Sequence, residues 1–125
     1  MLFDNHIIIS NYNDINLNFK DYLTQKDSII FKNCIDIKIS ISSKINKIIF
    51  INSKNVNLKC SETISGIEIE KCDNFKLLPM EPFSLKCIDC YRSYLELHID
   101  SNIDIYNKFK LINQHSIIKI INSNN

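Results

Sequence analysis

Apolar and polar residues alternate along most of this chain, and the alternation recurs about every 19 residues. Four segments superimpose: 31–39, 50–58, 69–77 and 87–95. Each has a small residue at its centre, Cys34, Ser53, Cys72 and Cys90, so the spacings are 19, 19 and 18. Five positions before the centre stand Ile29, Ile48, Ile67 and Leu85, and three before it Phe31, Phe50, Ile69 and Cys87. Three positions after it stand Ile37, Val56, Phe75 and Ser93; five after, Ile39, Leu58, Leu77 and Leu95; eleven after, Ile45, Ile64 and Phe83. Period-two alternation on both sides of a turn describes two short strands whose alternate residues face one way. A repeat of this length is one structural unit stacked on the next. The predicted fold is all-β, a right-handed parallel β-helix, a solenoid cored by ladders of like residues.

The ends are less regular. Residues 9–17 carry the same outline around Tyr12 and predict an atypical first coil, with a polar loop over 21–27. Gly66 falls where the chain must turn sharply into a strand. Two apolar segments, 109–112 and 117–121, flank Asn113-Gln-His-Ser116. Apolar strands around four turn-forming residues read as a C-terminal β-hairpin. The expected organisation is a single domain over 1–125: first coil and loop over 1–27, regular coils over 28–106, terminal hairpin over 107–121. A solenoid needs its open end covered, by the hairpin itself or by a second copy.

Composition changes this picture little. The formal net charge is +1, from 15 basic and 14 acidic residues, which gives no broad attraction to nucleic acid or an anionic membrane. No apolar run approaches the roughly 20 residues of a spanning helix. The first residues lack the pattern of a secretion signal. Five cysteines, an odd number lying on the strand pattern, suit a reducing compartment, so cytoplasmic residence is expected. The wealth of Ile, Asn and Lys reads as the codon bias of an AT-rich genome.

Candidate chemistry is sparse. Cys87-Ile-Asp-Cys90 has redox or zinc-half-site spacing, but Cys34, Cys72 and Cys90 share one repeat position, where a small buried side chain at a tight corner explains them. Asp36 and Asp73 fall in equivalent turns and read as solvated. No catalytic residue, metal ligand or cofactor is expected. On the outward positions, Ile49 and Ile51 lie beside Lys, Glu and Tyr side chains, a mixture suited to a protein partner.

The run Lys44-Ile-Asn-Lys-Ile-Ile-Phe-Ile-Asn-Ser-Lys54 resembles the C-terminal β-helix domain of cyclase-associated proteins. Ser65-Gly-Ile-Glu-Ile-Glu-Lys-Cys-Asp-Asn-Phe-Lys76 and Phe83-Ser-Leu-Lys-Cys87 are similar to its following coils, and Asn107-Lys-Phe-Lys110 to its closing segment. The resemblance covers about 28–121 and is to the short, stand-alone version of the domain. It implies binding of monomeric actin, promotion of nucleotide exchange or sequestration, and a homodimer made by exchanging the terminal hairpin. The expected actin contacts are Lys44, Asn52, Lys54, Lys71 and Lys76. The expected dimer contacts are Phe109, Leu111, Ile117, Ile118 and Ile120. A more distant resemblance, to the tubulin-folding cofactor C domain, implies GTPase activation through an arginine finger. Ser84 and Lys86 stand where that motif has Gln and Arg, and Arg92, the sole arginine, lies beyond the strand. A non-catalytic scaffolding solenoid is the third reading.

Overall fold

The structure, a computed structural model, describes residues 5–20, 22–81, 83–99 and 110–122. Each coil is a strand, a sharp corner and a second strand. The coils are β1 (Asn5–Ser10) with β2 (Asn13–Phe19), β3 (Asp27–Lys32) with β4 (Ile35–Ile41), and β5 (Lys47–Ile51) with β6 (Lys54–Cys60). They continue as β7 (Ile67–Glu70) with β8 (Asp73–Pro79), β9 (Ser84–Ile88) with β10 (Leu95–Ile99), and β11 (Lys110–Gln114) with β12 (Ile118–Asn122). Odd strands form one parallel sheet and even strands the other, each stacked in sequence order. The fold is a parallel β-solenoid.

The ladders follow the repeat. Phe31 pairs with Phe50 and Phe50 with Ile69 in the first sheet. Ile37 pairs with Val56 and Val56 with Phe75 in the second. All six are buried. The first coil joins in register, with Ile9 against Phe31 and Ile15 against Ile37. Asp27 opens β3 rather than ending a loop. It is buried, and its carboxylate accepts the Thr24 N–H at 2.6 Å and the Asn5 side-chain amide at 3.1 Å. The Thr24 bond chiefly holds its pKa below the usual carboxylate range, against the opposing effect of burial.

The centre column, Cys34, Ser53, Cys72, Cys90 and Ser116, is more than small. Each side chain donates to the carbonyl two residues before it: Lys32, Ile51, Glu70, Ile88 and Gln114. Ser53, Cys90 and Ser116 also accept the backbone N–H of the centre residue one coil earlier. The column therefore gives the centre N–H groups of Cys34, Cys72 and Cys90 an acceptor and adds a second donor to carbonyls that already accept a backbone N–H from the neighbouring coil, and thiol and hydroxyl serve alike. All five cysteines are free and buried. Burial pushes the Cys60 and Cys72 thiols up to about 12. A hydrogen bond to Cys90, with burial added, holds Cys87 up as well.

Three further expectations need correction. The terminal strands do not form a hairpin. β11 pairs in parallel with β9, and β12 in parallel with β10. Asn113-Gln-His-Ser116 turns the chain from one sheet to the other, with the Asn113 side chain bonding both N–H and C=O of Ser116. Ser93 does not occupy the Phe75 row; Leu95 does. Ile64 is exposed, and Thr63 takes the place against Ile45. Ile103, Ile105 and Phe109 lie outside the described residues.

Thr63 Oγ1 is buried without a hydrogen-bond partner. Leaving such a hydroxyl unpaired costs about 1 kcal/mol or more, and valine has the same shape. Thr63→Val is expected to stabilise the fold by about 1 kcal/mol. A urea midpoint equal to or below that of the parent protein would argue against an orphan hydroxyl.

Candidate functional site

The corner between the sheets is where surface chemistry accumulates. The sharp corner is made by residues in the left-handed region, and they form two columns. One precedes the centre: Asn11, Asn33, Asn52, Lys71, Asp89 and His115. The other follows it: Asp14, Asp36, Asn55 and Asn74. Asn and Asp adopt this conformation at least cost among residues with a side chain. Their side chains then bond along the stack: Asn52 donates to Asn33 at 2.7 Å, Asn55 to Asp36 at 2.7 Å, and Asn74 to Asn55. Lys71, at φ 53°, breaks the rule, since a lysine there has no local hydrogen bond to compensate.

The corner after Cys90 is longer than the others. Cys72 and Phe75, the next inward residue, are three apart, whereas Cys90 and Leu95 are five apart. Leu95 nevertheless pairs with Phe75. Two extra residues, Tyr91 and Arg92, are thus looped out, and both are exposed. Ser93 then returns to the frame, its hydroxyl accepting the Asn74 N–H. Tyr94 is held under Lys119, whose Nζ lies 5.1 Å from the ring centre.

Beneath the looped-out pair lies a groove of about 300 Å³. Its cations are Lys54, Lys71 and Arg92, and its acids Asp73 and Asp89, with Asn52 and Tyr91 completing the walls. Tyr91 and Asp89 also border a second depression, beside His115 and Ile117. Three lysines elsewhere on the solenoid are matched, Lys44 with Glu62 at 3.5 Å, Lys47 with Glu68 at 3.0 Å and Lys76 with Glu96 at 3.9 Å, while among the described residues Lys32, Lys38, Lys59 and Lys86 stand singly on its faces. Among the described residues, Lys54, Lys71 and Arg92 have no carboxylate within 4.0 Å. The groove can bind charged and hydrogen-bonding groups, and its cations are free to do so.

Of the five expected contacts, Asn52, Lys54 and Lys71 converge here. Lys44 sits apart with Glu62, and Lys76 on the outer face of β8 with Glu96. Ile49 and Ile51 face outward on β5 but are half-buried. Lys86 stands on the outer face of β9 beside Glu68, while Arg92 is in the groove. Tyr91 and Arg92 are the residues the repeat reading passed over. Their signal is the irregular spacing, 18 residues between centres followed by 20 between Phe75 and Leu95. Among the described residues no group of three or more His, Cys, Asp or Glu could hold a metal ion, and no helix is long and apolar enough to cross a membrane.

A parallel β-solenoid with a charged corner groove has the form of a binding domain. The family model of the adenylate cyclase associated (CAP) C-terminal domain matches residues 1–92, about three quarters of the chain. The chain belongs to this family, whose domain is a non-catalytic binder of actin associated with the actin cytoskeleton. The match ends at Arg92, in the enlarged corner. No curated protein and no solved structure matches the chain.

Proposed function

We propose that this protein binds monomeric actin through the corner groove, in the cytoplasm, and so withholds it from filaments or speeds exchange of its nucleotide. The observation that carries the reading is the convergence of Asn52, Lys54 and Lys71 with Arg92 in one groove, in a chain of an actin-binding family. No covalent step is involved. Exchange is accelerated if the protein binds more tightly to an actin conformation that releases nucleotide readily, because a ligand shifts an equilibrium only by its differential affinity. Size-exclusion chromatography with monomeric actin is expected to show a complex. Lys54→Glu with Lys71→Glu is expected to weaken it at least tenfold. Release of a fluorescent nucleotide from actin, with and without the protein, distinguishes exchange from sequestration. Absence of any complex would remove the reading.

The C-terminal end of the stack supports a homodimer. Leu111, Ile117 and Ile120 are exposed there, with Ile118 partly buried against the core. β11 and β12 are the last strands of their sheets among the described residues, so one edge of each has no described neighbour in the stack. Unpaired edges and uncovered core residues favour association. The expected interface is coil against coil, with no exchanged hairpin. Removing residues 107–125 is expected to abolish a dimer seen by sedimentation; an unchanged dimer would place the interface elsewhere.

A further inference from the structure

The two residues looped out at the enlarged corner have no role in the core. The ladder closes around them, with Leu95 on Phe75 and Ser93 on the Asn74 backbone. They are nonetheless the sole arginine of the chain and a tyrosine with 59 % of its surface exposed. Tyr and Arg are, with Trp, the residue types enriched among the contacts that dominate protein interfaces. Arg92 overhangs the groove that Lys54 and Lys71 line, and Lys71 holds a left-handed backbone that the preceding coils give to asparagine. A strained residue at a surface corner, where Asn would fit with less strain, is an observation that favours a role in binding over one in folding.

We propose that Tyr91 and Arg92 form a clamp for an extended acidic segment of the partner. Arg92 takes a carboxylate through its planar fork, Lys54 and Lys71 neutralise a second negative group, and the Tyr91 ring covers the apolar stem between them. Asp73 and Asp89, in the same groove, repel a segment placed out of register and so fix its direction. This inference rests on the actin reading: the segment is one presented by the actin monomer.

The test uses the full chain and monomeric actin, with affinity measured by titration calorimetry at two salt concentrations. Arg92→Ala and Tyr91→Ala are each expected to weaken binding about tenfold, and Arg92→Lys to recover only part of the loss because it lacks the fork. The salt dependence of the Arg92→Ala variant should be shallower than that of the parent. Lys71→Asn separates binding from folding: it should melt at the same temperature or higher yet bind at least threefold more weakly. Parent binding with all four variants within twofold of it would overturn the clamp while leaving the actin reading intact. No binding by the parent protein would overturn both.

Discussion

Replacing Phe50 with alanine is expected to destabilise the solenoid by about 4 kcal/mol. Its ring lies at the middle of the inward row of the first sheet. It stacks on Phe31 with centres 4.5 Å apart and planes 8° from parallel. It also meets Phe75 of the opposite sheet edge-on at 4.8 Å. One residue therefore supplies an aromatic contact within its own sheet and another across the core, each worth about 1 kcal/mol beyond area burial. The site cannot collapse to fill the loss, because β3, β5 and β7 hold the backbone at sheet spacing on both sides. In small proteins a urea slope of about 1–3 kcal/mol/M turns this into a midpoint lower by roughly 2 M. Stacked repeats couple mainly to their neighbours, so the transition should also broaden or split. A loss below about 1 kcal/mol would mean that the aromatic column does not organise the core.

Gly66→Ala is the second change with a large expected effect, about 3 kcal/mol or more. Gly66 has φ +91°, outside the range a side chain tolerates well. A Cβ there would lie 2.6 Å from the carbonyl oxygen of Ser84 and 3.3 Å from its carbonyl carbon. These are backbone atoms at the start of β9, so no rotamer change relieves the contact. The Gly66 carbonyl also accepts the Ile48 N–H of the preceding coil, and moving it would disturb that bond. A shift in melting temperature of 10 °C or more is expected for a domain of this size. A variant that melts within 3 °C of the parent would show that the turn into β7 can relax.

The core was legible in the sequence because its signal is repeated. Each inward row is tested several times, and Ile29, Ile48, Ile67 and Leu85 are all buried as the period requires. The corners were less legible for a physical reason. A left-handed residue leaves no hydrophobic mark, so Asn33, Asn52, Asn55 and Asn74 looked like a bias of composition when they are demanded by backbone conformation. The terminal strands are not decided by their own sequence, because two apolar segments around a turn satisfy a hairpin and a solenoid corner equally. Only the partner strand decides between them, and β9 and β10 lie some 25 residues earlier. Ser93 was misplaced because a rigid period hides a local insertion. Asn52, Lys54 and Lys71 could be named from the sequence as surface residues. That they share a groove depends on pairing between coils, such as Lys54 with Asp73, which no single repeat contains.

The separation of corner from core has an evolutionary consequence. Each corner is one mark on a scale ruled at about 4.8 Å, the distance between stacked strands. Exchanging a residue at one mark rewrites a single position of the surface and leaves the buried rows untouched. Even adding two residues, as at Tyr91 and Arg92, leaves Leu95 on Phe75. A solenoid of this kind can drift from one partner to another, or lose a partner altogether, with little change in the stability that selection must also preserve.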